Sequence, residues 1–102
     1  MLKALVGDDE ETIRDFLHDF RLSAAKIATA LRTACTAGQA ANAGALAHKL
    51  KSSARSVGAL ALGELCFEME KAGKASDMAA LAALLPGFEQ ELANVEGFLE
   101  GY

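Results

Sequence analysis

The chain carries two histidines, His18 and His48, and the neighbours of one of them suit chemistry. In "AHKLKSSARSVGA", residues 47–59, His48 is followed by Lys51 at i+3, Ser52 at i+4 and Arg55 at i+7. A neutral imidazole is a good nucleophile near neutral pH, since its ordinary pKa is about 6.5. Attack on a phosphoryl group would load the ring with negative charge. Lys51 could offset that charge, and the Ser52 hydroxyl could donate a hydrogen bond. Phosphoryl transfer rests mainly on positioning and charge stabilisation. A site of this kind therefore needs no deep pocket if a partner brings the remaining groups. His18 has bulkier and mixed company in Arg14, Leu17 and Asp19, and is read as a solvated surface residue.

Neither histidine sits in a metal-binding pattern. Di-iron bundles need Glu-x-x-His pairs that project inward, but Ala45 lies three before His48 and Asp15 three before His18. No metal site is expected. Cys35 and Cys66 lack CxxC spacing and are read as free thiols in helix cores.

Four helices position these residues. The first opens at "GDDEET", where Asp8 or Asp9 can cap it and Glu11 completes a capping box with Asp8. Ile13, Phe16, Leu17, Phe20, Ala24, Ile27 and Leu31 then recur at three- and four-residue steps on one face, and Gly38 ends the segment. The second helix is expected from about residue 40 to 57, with Gly58 as its stop. The third is expected from about residue 60 to 72, with Gly73 after it. Ser76 is expected to cap the fourth, with Asp77 in its first turn. Pro86 interrupts the apolar stripe of that last helix and implies a kink or a break. The acidic runs "GDDEE" and "ELCFEME" read as solvated helix faces. Short connections make successive helices antiparallel. The fold class that follows is all-α: an up-down-up-down four-helix bundle spanning residues 1–102 as one domain, with room for a short helical turn over residues 1–7. The C-terminal Gly101–Tyr102 pair is expected to fray.

Composition agrees and excludes some functions. Hydrophobic residues make up 52% of the 102, but aromatic ones only 6%, which favours helices packed through small side chains. A net charge of −4 is a poor match to a nucleic-acid face. Charges interrupt every apolar run before membrane-spanning length, and a cytoplasmic, reducing setting is the default expectation.

A helical wheel gathers Leu46, Ala47, Leu50, Ala54 and Val57 in one sector of the second helix. It places His48 roughly 160° from that sector's centre, facing solvent. Ala41, Gly44, Ala45 and Ser52 leave little bulk around it. Gly44 inside a helix costs about 1 kcal/mol relative to alanine, and close approach of a partner's backbone would be one reason to keep it. The wheel alone does not choose between a nucleophile and a solvated side chain.

"AHKLKSSARSVGALAL" resembles the signature of histidine phosphotransfer (HPt) domains, roughly H-x-L-K-G-x-x-x-x-x-G-x-x-x-L. His48, Leu50, Lys51, Gly58 and Leu62 match in register. "GDDEETIRDFLHDF" and "LCFEMEKAG" look like that family's flanking helices, so the resemblance covers about residues 7–100. It implies that His48 is the phosphoacceptor, that Lys51 stabilises the phosphoryl group, and that Leu50, Gly58 and Leu62 are structural. It also implies a relay between receiver-domain aspartates by a domain with no ATP-dependent kinase activity and no intrinsic cofactor, the Mg²⁺ being on the partner receiver. Ser52 stands where the family usually has glycine. Ala41, Gly44, Ala45, Lys49 and Arg55, with some help from the first helix, are expected to complete a docking surface around His48, Lys51 and Ser52. Lys49, Lys51 and Arg55 would attract the receiver's acidic site. The domain is expected to act as a monomer. The alternative is a helical adaptor that docks a signalling partner without phosphotransfer.

Overall fold

The computed structural model describes residues 10–100, which form four helices: α1 (Glu10–Thr36), α2 (Ala40–Ser56), α3 (Leu60–Lys74) and α4 (Met78–Glu100). Among the described residues no strand is present, and the all-α antiparallel bundle is the observed fold. The expected caps at Asp8 or Asp9, the turn over residues 1–7 and the Gly101–Tyr102 end lie outside the described residues.

The core follows the periodicity. Phe20, Ala24, Ala28, Leu31 and Ala34 of α1 face Leu50 of α2, Leu62, Cys66 and Met69 of α3, and Leu81, Phe88 and Leu92 of α4. Phe16, expected on the apolar stripe of α1, is instead 53% exposed, because the buried face of that long helix begins only at Phe20. On the far side of the bundle, the Arg32 guanidinium of α1 donates two hydrogen bonds, of 2.5 and 2.6 Å, to the Glu89 carboxylate of α4. Helix α4 runs unbroken through Pro86. The ring sits on an exposed face, where the orphaned carbonyl one turn earlier can bond water.

All three connections use the same backbone solution. After α1, the Gln39 amide bonds the Ala34 carbonyl at 2.8 Å while Gly38 takes a φ of +72°. After α2, the Ala59 amide bonds Ala54 at 2.8 Å with Gly58 at +81°. These are Schellman closures with glycine in the left-handed position. After α3, Asp77 bonds Ala72 at 2.9 Å, and the left-handed position is filled by Ser76 at +56°. Ser76 is therefore the end of α3 and not the cap of α4. That cap is Asp77, whose Oδ1 accepts the Ala80 amide at 3.0 Å.

Gly73 does not stop α3 as its type suggested. The helix continues to Lys74, and Gly73 lies against Gly44 of α2. A Cβ built on Gly73 would stand 2.6 Å from the Gly44 Cα and 2.7 Å from the Ala40 carbonyl oxygen. Neither backbone atom can move aside cheaply. The buried face of α2 (Ala40, Ala43, Gly44, Ala47, Leu50, Ala54) contains one large side chain, so α2 and α3 approach closely along this seam. Gly44 is thus buried by α3 of its own chain, and its missing side chain serves that crossing, where the sequence had suggested a partner's approach.

A serine in the left-handed region stores strain that glycine would relieve. Ser76→Gly should raise stability by about 0.5–1 kcal/mol, read as a higher midpoint in urea unfolding. A lower midpoint would show that the Ser76 side chain stabilises the turn.

Candidate functional site

The α2–α3 seam sets the site. With the two backbones held together at Gly44 and Gly73, His48 lies one turn beyond Gly44 on α2, and Glu70 lies just under one turn before Gly73 on α3. Their side chains meet: His48 Nδ1 is 2.9 Å from Glu70 Oε2. Lys51, one turn further along α2, donates to the other oxygen, Oε1, at 2.6 Å. Lys74, four residues after Glu70, stands 3.3 Å from Oε2. The Glu70 side chain is only 8% exposed, yet it faces three nitrogens.

That arrangement fixes protons. The Lys51 hydrogen bond, helped by Lys74 and His48, holds the Glu70 carboxyl down to about 2 against the opposing effect of burial. Glu70 is therefore an anion throughout the neutral range and can only accept. The His48 nitrogen facing it must carry the hydrogen. In a neutral imidazole this leaves the lone pair on Nε2, the other ring nitrogen. The His48 side chain is 59% exposed, so the ring is anchored on one edge and open elsewhere. An oriented, single-tautomer imidazole is what a nucleophile requires.

Lys51 is less free than the sequence implied. Its side chain is 15% exposed, and its ammonium lies 5.4 Å from the Phe67 ring centroid, within the range of a cation–π contact. Lys71 approaches the same ring at 5.1 Å.

A hollow of about 550 Å³ opens beside His48, lined by Ala41, Gly44, Ala45, His48 and Lys49 of α2, Glu70, Gly73 and Lys74 of α3, and Ser76. The structure therefore gathers five of the sequence-predicted residues here. Three others fall outside the lining. Lys51 is turned to Glu70. Ser52 is exposed one turn along, and among the described residues its hydroxyl bonds neither His48 nor Lys51. Arg55 lies over α3, its Cγ 3.1 Å from the position a Cβ on Gly63 would take. The second wall of the hollow is α3; the first helix, expected to contribute, does not line it. His18 is exposed at the α1–α4 edge near Arg14, Arg21 and Glu100.

Glu70 was missed because "ELCFEME" reads as a charged surface, and Lys74 because it lies past the expected end of the third helix near residue 72. The signal was present. Glu70 falls four after Cys66 and three before Gly73, on the apolar stripe of α3, and a carboxylate on such a stripe needs partners from the next helix. The thiols behave as expected: Cys66 is buried and Cys35 half-buried, both free, and burial pushes Cys66 up to about 12, which keeps it an unreactive thiol.

Among the described residues no group of three histidine, cysteine or acidic side chains converges on a metal position, and no helix is long and apolar enough to cross a membrane.

Fold and site together define a small helical module built around one oriented histidine. The family model of the Hpt domain matches residues 15–98, and the chain belongs to that family, whose domains carry out histidine phosphotransfer in two-component phosphorelays and interact with receiver domains. No curated protein and no solved structure matches the chain.

The depressed Glu70 carboxyl makes a prediction about acid. Its folded pKa lies below the ordinary carboxylate value. Its contribution to stability is therefore complete above about pH 4.5 and is lost as pH falls toward 2. Thermal melts from pH 6 to 2 should show wild type losing its advantage over Glu70→Gln across that window. A constant difference at all pH values would mean that the Glu70 charge adds nothing to folding.

Proposed function

We propose that the protein relays phosphoryl groups between receiver-domain aspartates through His48. The observation that carries this reading is the bond from His48 Nδ1 to ionised Glu70, which leaves Nε2 with the attacking lone pair. In the forward step, Nε2 attacks the phosphorus of a receiver's aspartyl phosphate. The P–N bond forms, the P–O bond breaks, and the aspartate leaves as a carboxylate. The ring keeps its Nδ1–H and gains positive charge, which Glu70 balances across a 2.9 Å hydrogen bond. The reverse step passes the phosphoryl group to a second aspartate.

The chain's own residues bind, orient and balance charge; the donor brings the rest. The hollow offers one carboxylate, and that carboxylate is already occupied by Lys51, Lys74 and His48. The Mg²⁺ that such transfers use is accordingly assigned to the receiver's acidic site, and the domain itself is assigned no kinase reaction. Ala41, Ala45 and Lys49 are exposed around His48 and would meet the receiver with little steric bulk. Ser52 and Arg55 would lie at the margin of that contact. The proposed setting is cytoplasmic, with the domain acting as a monomer.

Glu70 acts as a positioning residue in this reading. Mixed with a labelled phospho-receiver and Mg²⁺, wild type should take up acid-labile, base-stable phosphate. His48→Gln should take up none, and His18→Gln should match wild type. Glu70→Ala should slow transfer roughly 10- to 100-fold, by analogy with the loss seen when the partner that orients a metal-bound histidine is removed. Labelling that survives His48→Gln would move the acceptor elsewhere. Absence of wild-type labelling with every receiver tried would favour the adaptor.

A further inference from the structure

We propose that Lys74, rather than Lys51, is the cation that closes on the phosphoryl group of His48. The inference rests on His48 as phosphoacceptor and deepens that reading. Both lysines pair with Glu70, but they are held very differently. Lys51 has a 2.6 Å bond to Oε1, a side chain 15% exposed, and the Phe67 ring beside its ammonium. Lys74 reaches Oε2 at 3.3 Å, the longest of the three contacts, with a side chain 76% exposed. The Lys74 ammonium remains largely in water, so it gains less from the pair than a shielded lysine would and exchanges partners more readily. A lysine shielded from water and backed by an aromatic face does not.

Placement points the same way. Oε2 is the oxygen that also accepts His48 Nδ1–H, so the Lys74 ammonium stands on the imidazole's side of the carboxylate. Lys74 also lines the hollow beside His48, and Lys51 does not.

Charge balance permits the exchange. When Nε2 takes the phosphoryl group, the ring becomes cationic and its Nδ1–H bond to Glu70 strengthens. Glu70 then keeps two cationic partners, His48 and Lys51, and can release its outermost one. The phosphoryl dianion offers three acceptor oxygens to the ammonium that is released. Moving Lys51 instead would strip the buried carboxylate of its shortest bond. Lys74 is thus a cation stored on Glu70 in the resting state and transferred to the phosphoryl group when it arrives.

The test uses potassium phosphoramidate as donor and the full chain as acceptor, so it needs no receiver. The P–N bond of the reagent breaks, ammonia leaves, and the phosphoryl group passes to the imidazole. The phosphorus-31 resonance of the phosphoprotein is then followed against pH, with a Lys71→Ala control that removes a charge from the same helix. A nearby ammonium favours the dianion, so the phosphoryl group should titrate higher once it is gone. Lys74→Ala should raise the midpoint by about half a pH unit, roughly threefold in proton affinity. Lys74→Arg should restore it, and Lys51→Ala and Lys71→Ala should each move it less. A midpoint unmoved by Lys74→Ala, or moved more by Lys51→Ala, overturns the assignment. Because the donor is a small molecule, failure of the receiver assay alone leaves this result intact. Failure of the wild type to load at His48 would overturn both readings.

Discussion

The Glu70 carboxylate is the constraint on which the site depends. It is nearly buried, it is ionised, and it is kept so by His48 and Lys51 from one helix and Lys74 from its own. A buried charge without partners is costly, and here the partners are the groups proposed to act in phosphotransfer. The interaction that makes the carboxylate tolerable also removes one tautomer from the histidine. In the proposed relay, stability and reactivity share a single set of hydrogen bonds.

That carboxylate can reach the histidine only because two helix backbones nearly touch. Gly44 and Gly73 make the contact, and alanines fill most of the rest of the α2 face. Larger residues would separate the helices and break the 2.9 Å bond between His48 and Glu70 before they disturbed the distant core at Leu81 and Phe88. The small-residue composition is thus a positional requirement of the site as well as a packing solution. The Schellman turns at Gly38, Gly58 and Ser76 keep the connections short enough for successive helices to stay antiparallel.

Much of this was legible in the sequence. Helical periodicity, with Gly38 and Gly58 as punctuation, placed the helices to within a few residues, and the wheel put His48 outside. The wheel failed for Gly44 because it treats a helix as having one buried sector. α2 is covered on a second flank by α3, and only a three-dimensional crossing shows which flank. The capping preference failed for Ser76 because a serine before an aspartate looks like a helix start, whereas the left-handed turn needed at that point was specified by backbone closure. Lys51 looked like a free cation because the residue that captures it, Glu70, lies 19 positions away on another helix. Local spacing carries no information on such a pair. An acidic residue on an apolar stripe was the available clue.

The tautomer of His48 is the most direct test of the site. Nitrogen-15 NMR of the labelled imidazole, at a pH where the ring is neutral, distinguishes the protonated nitrogen from the one with the lone pair. The structure requires Nδ1 to carry the hydrogen in wild type and Nε2 to be free, with that preference weakened in Glu70→Ala. A neutral His48 found with its hydrogen on Nε2, as in an unconstrained histidine, would contradict the claim that Glu70 prepares the nucleophile.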